Sequence, residues 1–76
     1  MIPVFDVVAD VLGLPAETVT EDVSPATEGV WTSLKHLELA VAIEEHYHVS
    51  LSAREIRRLT SVGRIREVLR EKGVVA

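Results

Sequence analysis

Ser33 is the residue of this chain best placed to do chemistry. It stands where a long irregular stretch gives way to an uninterrupted run, Ser33 to Tyr47, without Gly or Pro, so its hydroxyl is expected at the exposed start of a helix. Free backbone amides and the helix macrodipole stabilise an attached phosphate or phosphodiester at such a point, which makes a covalent phosphoryl link the chemistry this position would support. The spacing alone also fits a serine that merely opens a helix behind a Thr32 cap.

The other reactive side chains combine poorly. His36, His46 and His48 do not form a metal set, because helical positions two apart do not share a face and His36 lies most of three turns away. Ser33 with His36 and a carboxylate has the types of a hydrolase, yet nothing supplies an oxyanion hole or a substrate pocket. Glu44 and Glu45 diverge by about 100° on a helix and read as a solvated face, not as an acid–base pair. No catalytic residue and no metal ligand is therefore expected. Trp31 reads as an anchor at the edge of the core, holding the irregular stretch.

Size and composition restrict the setting. Seventy-six residues, 47% of them hydrophobic, make one small domain, residues 1–76, which buries only about 60% of its unfolded surface and has no room for a deep cleft. The absence of Cys removes disulfides, thiolate metal sites and a cysteine nucleophile, so any thiol chemistry must be borrowed. No run approaches the length of a membrane span and no basic leader opens the chain, so a cytoplasmic domain without membrane contact is expected.

The net charge of -4 conceals a polarity. Residues 1–34 hold Asp6, Asp10, Glu17, Glu21, Asp22 and Glu28 with no Lys or Arg, whereas Arg54, Arg57, Arg58, Arg64, Arg66, Arg70 and Lys72 outnumber Glu55, Glu67 and Glu71 from Ser52 onward. Such a division suits an electrostatically addressed docking surface, and it equally suits pairing between the two halves.

Four helices must position these groups. Pro3 fits a first helical position, and Val4, Phe5, Val8, Val11 and Leu12 recur at helical spacing before Gly13, which predicts a helix over about 3–12. Residues 14–31, with Pro15, Pro25 and Gly29, read as a long loop; Val19, Glu21 and Val23 alternate like a strand but have no partner. In the second helix Leu34, Leu37, Ala40, Val41, Ile43 and Tyr47 are expected to form one broad buried face, with Lys35, Glu38, Glu45 and His46 opposite. Ser52 to Glu55 is a capping box, with Leu51 and Ile56 as its staple, and opens a short third helix over about 53–59. The last helix starts after Thr60 or Ser61, uses Val62, Ile65, Val68 and Leu69, and stops at Gly73, where Leu69 and Val74 suit a Schellman contact.

The ordered set Trp31-Thr32-Ser33-Leu34, Leu37 through Glu44-Glu45-His46-Tyr47, and Leu59-Thr60-Ser61-Val62 resembles the acyl carrier protein family, peptidyl carriers included. In that family an Asp-Ser-Leu-type motif opens the second helix, an apolar run ends in Glu-Glu-x-aromatic, and Thr-Thr-Val or Thr-Ser-Val opens the last helix. The likeness runs from about Val4 to Gly73 and implies an all-α four-helix bundle with a long first loop and a short third helix.

The resemblance further implies that Ser33 carries 4'-phosphopantetheine, delivered from coenzyme A by a phosphopantetheinyl transferase. The arm's thiol then holds an acyl or aminoacyl group as a thioester, and the domain itself catalyses nothing. Partner recognition falls, on this resemblance, to Thr32, Leu34, Lys35, Leu37, Glu38, Glu45, Arg54, Ile56 and Arg57. The partners are the transferase, a loading enzyme and an acyl-accepting enzyme such as a ketosynthase; the domain is expected to be a monomer. Thr32 replaces the family's usual Asp, keeping the cap and losing the charge that helps the transferase hold its metal. Lys35 and the arginines of the third helix depart from the acidic surface of fatty-acid carriers, and with Trp31 they point to a discrete carrier of polyketide or other secondary metabolism.

Two other functions remain compatible with the residues. A non-covalent adaptor could dock through the long helix, and the last two helices with their six Arg and one Lys could imitate a helix-turn-helix on nucleic acid, although the acidic first half opposes the latter.

Overall fold

The computed structural model describes residues 2–75. Four helices account for its regular structure: α1 (Val4–Leu12), α2 (Ser33–Tyr47), α3 (Ala53–Arg57) and α4 (Val62–Glu71). Among the described residues there is no strand, so the Val19–Val23 alternation forms turns. The fold is the all-helical bundle expected, with α1 lying against both α2 and α4. Its core joins Val4, Val8 and Leu12 of α1 to Leu39 and Ile43 of α2 and to Val62, Ile65, Val68 and Leu69 of α4.

Local signals set most of the boundaries. The α2 start falls as expected, with Thr32 in extended backbone as N-cap and its side chain accepting from the Lys35 amide at 3.3 Å. The capping box of α3 is complete, the Glu55 amide donating to Ser52 Oγ at 3.1 Å and the Ser52 amide to Glu55 Oε1 at 2.9 Å. α4 ends in a Schellman motif around Gly73 at φ 80°, where the Val74 amide reaches the Leu69 carbonyl at 2.9 Å and the Gly73 amide that of Arg70 at 3.0 Å.

Two boundaries differ from expectation. Pro3 is the N-cap of α1 and not a helical residue, because its ψ of 145° is extended, and the helix begins at Val4. α3 ends at Arg57 and not at 59: the Arg58 and Leu59 amides turn to carbonyls three residues back, at 3.0 and 3.2 Å, a tightening that drops Leu59 into the core. α4 closes at Glu71 with Lys72 as its cap, which puts Gly73 one position beyond the cap, where the expected Schellman motif needs it.

The long loop is less irregular than its composition suggests. Ala16–Thr18 forms a 3-10 turn capped by Pro15, and Val19, Val23 and Trp31 are buried as anchors. The loop is also tied to the start of α4, whose Val62 and Gly63 amides donate to the carbonyls of Val23 and Glu21, both at 3.0 Å. These two bonds satisfy donors that a helix start leaves without intrahelical partners.

The largest correction concerns α2. Its buried face is Leu39, Ala40, Ile43 and Tyr47, and Leu39, at 0% exposure, was not among the residues expected inside. Leu34, Leu37 and Val41, expected in the core, are 66%, 58% and 52% exposed. At 100° per residue the two sets lie on nearly opposite sides of the helix. The packing of α1 and α4 selects the Leu39 face, leaving an apolar stripe outside.

The candidate phosphoryl site

Ser33 is the first residue of α2 and is exposed. Thr32 caps the Lys35 amide and its carbonyl accepts from the His36 amide at 2.8 Å, so the amides of Ser33 and Leu34 stay at the open end of the helix. The hydroxyl therefore sits in the positive field of the helix start.

Beside Ser33 lies a cleft of about 420 Å³, walled by Pro25, Trp31 and Thr32 of the loop, Ser33, His36 and Leu37 of α2, and Ile56 and Arg57 of α3. Its shape depends on one polar bridge. The buried Trp31 indole donates to His36 Nδ1 at 3.0 Å, and His36 Nε2 lies 2.8 Å from the Ile56 carbonyl. Because Nδ1 accepts, the ring proton is on Nε2, which donates to Ile56. His36 thus fastens the loop to α2 and α2 to α3.

Five of the residues assigned to attachment or partner recognition meet at this cleft: Thr32, Ser33, Leu37, Ile56 and Arg57. Leu34, Lys35, Glu38, Glu45 and Arg54 do not line it. Lys35 is paired with Glu38 at 3.1 Å on the α2 surface, and Leu34 joins Leu37 and Val41 in the exposed stripe. Glu45 lies twelve residues from Ser33, about 18 Å along the helix. Pro25, Trp31 and His36 are cleft residues that sequence reasoning did not assign to the site. Only the need of a buried indole for an acceptor hinted at His36.

The basic half of the chain is largely neutralised. Arg58 makes a two-pronged pair with Glu71 at 2.8 and 2.7 Å, Arg64 pairs with Glu67 at 2.9 Å, Lys72 with Glu55 at 2.9 Å, and Arg66 with Glu21. Among the described residues only the Arg66–Glu21 pair joins the acidic front to the basic back; Arg66 also lies over the Phe5 ring, 5.3 Å from its centroid. The Ser52 amide, then Lys72, hold the Glu55 carboxyl below the usual glutamate range, and the Arg58 guanidinium does the same for Glu71. The helix-turn-helix alternative accordingly loses most of its free cations. Among the described residues no three His, Asp or Glu side chains are arranged to hold a metal ion, and no helix is long and apolar enough to cross a membrane.

An exposed hydroxyl at a helix start, next to a cleft with no carboxylate on its walls, accepts a phosphodiester without electrostatic penalty. The open α2 end and the cleft also leave space for a long linear substituent at Ser33, so the residues present fit a phosphopantetheine group. The family model described as phosphopantetheine attachment site matches residues 3–69 of the chain. No curated protein matches it. With nearly the whole described fold inside that match, the chain belongs to the phosphopantetheine attachment-site family, the carrier domains whose prosthetic group is 4'-phosphopantetheine.

Proposed function

We propose that this chain is a single acyl or peptidyl carrier domain whose prosthetic arm is attached at Ser33 and whose cargo belongs to polyketide or other secondary-metabolite biosynthesis. The observation that carries the assignment of Ser33 is its exposed place as first residue of α2, directly after the Thr32 cap and on the wall of the cleft. In the loading step Ser33 Oγ forms a bond to the pantetheine-side phosphorus of coenzyme A, the pyrophosphate bridge breaks, and adenosine 3',5'-bisphosphate leaves. The hydroxyl proton goes to a base on the transferase. When bound, the arm supplies the thiol that the cysteine-free chain lacks and holds an acyl or aminoacyl group as a thioester.

The chain's own residues present and address that group. The α2 start stabilises the phosphodiester, Trp31 and His36 keep the cleft beside it in shape, and the exposed Leu34, Leu37 and Val41 stripe offers partners an apolar contact. Lys35, Glu38, Glu45 and Arg54 flank that stripe or lie on the neighbouring helix and tune the choice of partner, with Arg54 and Lys35 favouring enzymes other than those that read an acidic carrier. The domain acts as a monomer in the cytoplasm, performs no catalysis of its own, and meets in turn a transferase, a loading enzyme and an accepting enzyme of the ketosynthase kind.

Intact-mass measurement tests the assignment. Incubation with coenzyme A and a broad-specificity phosphopantetheinyl transferase should add the mass of one phosphopantetheine to the wild type and nothing to Ser33→Ala. An unmodified wild type with several transferases would leave the non-covalent adaptor as the better reading.

A further inference from the structure

Ser33 and Arg57 line one cleft from two different helices, α2 and α3. Among the described residues on its walls Arg57 brings the only fixed charge, since His36 accepts at Nδ1 and the remaining lining side chains are neutral. Neighbouring cations are already engaged: Lys35 by Glu38, Arg58 by Glu71 and Lys72 by Glu55. Among the described residues Arg57 has neither an ion pair nor a side-chain hydrogen bond, and in α3 it shares that state with Arg54, which lies off the cleft. A guanidinium presents a planar fork of donors that matches two phosphate oxygens, and its flexible stem lets the charged head cross a groove rim.

We infer that Arg57 is the counter-charge of the phosphodiester on Ser33, a positioning residue that pairs with the non-bridging phosphate oxygens and draws the arm over the cleft. The inference rests on Ser33 as the attachment residue. The Ser33 and Leu34 amides at the α2 start would hold the same anion together with Arg57, a helix end and a guanidinium both supplying it with donors. Arg54 has the same charge, helix and exposure but no place on the cleft, and serves as the internal control.

The test compares wild type, Arg57→Gln and Arg54→Gln, each converted with coenzyme A and a transferase and each verified by intact mass. Two readouts follow, the phosphorus-31 resonance of the holo protein and the side-chain Nε–H resonances of Arg57 and Arg54 before and after conversion. The Arg57 signal should move on conversion while the Arg54 signal stays. The phosphorus resonance of Arg57→Gln should leave the wild-type position and move part of the way toward that of a phosphopantetheinylated peptide spanning residues 30–36, the α2 amides still holding the phosphate, with Arg54→Gln keeping the wild-type position. One common phosphorus resonance in all three holo proteins would overturn the role of Arg57 alone. Failure of the wild type to gain the arm would overturn the attachment assignment and this inference with it.

Discussion

Trp31 and His36 form a side-chain hydrogen bond of 3.0 Å with their rings stacked at an interplanar angle of 26° and centroids 6.1 Å apart. Trp31 belongs to the long loop and His36 to the second turn of α2, so this pair fixes where the loop meets the helix that bears Ser33. His36 in turn reaches the Ile56 carbonyl of α3. The geometry of the cleft is consequently a matter of one imidazole with both nitrogens used.

Replacing that imidazole should loosen the site and weaken the fold. His36→Ala leaves the Trp31 indole without its acceptor and the Ile56 carbonyl without its donor, a loss of about 1–3 kcal/mol by the usual cost of stranding partly buried polar groups. Urea denaturation checks the magnitude. Fluorescence checks the cause, because Trp31 is the chain's lone tryptophan and its emission should shift to the red as the loop detaches. An unchanged spectrum at unchanged stability would show that the bridge does not hold the cleft.

The two apolar faces of α2 should behave oppositely under substitution. Leu39→Ala removes a side chain at 0% exposure and should cost about 2–5 kcal/mol. Leu37→Lys, at a position 58% exposed, should leave stability within about 0.5 kcal/mol yet slow arm transfer by a broad-specificity transferase several-fold, since it puts a charge in the exposed stripe. Thermal unfolding and a timed mass assay separate the two. Equal destabilisation by both changes would place Leu37 in the core after all.

That contrast explains what the sequence could and could not disclose. The start of α2 at Thr32, the capping box at Ser52 and the Gly73 ending were legible because each is a local device whose residue types have few other uses. The orientation of α2 was not, because Leu34, Leu37 and Val41 on one side and Leu39, Ile43 and Tyr47 on the other are both apolar, and periodicity cannot choose between two such faces. The choice is made by α1 and α4. Likewise, Ser33 was visible from its helix start, whereas the cleft beside it depends on contacts such as His36 to Ile56, twenty residues apart, which no local pattern records.

His48 supplies a test of backbone strain. It ends α2 at φ 54°, the left-handed region that costs a residue with a Cβ about 1 kcal/mol or more, and it is the only such non-glycine among the described residues. His48→Gly should raise stability, by at most about 1 kcal/mol because glycine also loses more entropy on folding. Chemical denaturation reads the sign. A decrease would mean that the imidazole contributes more than its backbone costs.

Acid should destabilise the domain through Glu55 and Glu71. Both carboxyls are held below the ordinary glutamate range in the folded protein, by the Ser52 amide with Lys72 and by Arg58 respectively. A depressed folded-state pKa contributes stability that is present above the unfolded-state value and is lost as pH falls through the folded-state value. The urea midpoint should therefore drop between about pH 5 and pH 2, and Glu55→Gln with Glu71→Gln should lower it at neutral pH and flatten that slope. A slope unaltered in the double variant would assign the acid sensitivity to other carboxylates.

Charge reversal on the partner-facing side should change recognition without melting the fold. Arg54 is exposed and makes no ion pair among the described residues, so Arg54→Glu removes no intramolecular bond and inserts a charge of the wrong sign for a partner that presents carboxylates. Lys35 is already paired with Glu38, and Lys35→Glu should have the smaller effect of the two on a partner, because part of the lysine's field is cancelled at home. With the holo chain as substrate of its loading enzyme, Arg54→Glu should lower kcat/KM about tenfold at low salt through KM, and the deficit should shrink as ionic strength rises because long-range steering is screened. The thermal midpoint should stay where it is. A deficit that is independent of salt would point to a changed contact and not to lost steering, and no deficit at all would remove α3 from the docking surface.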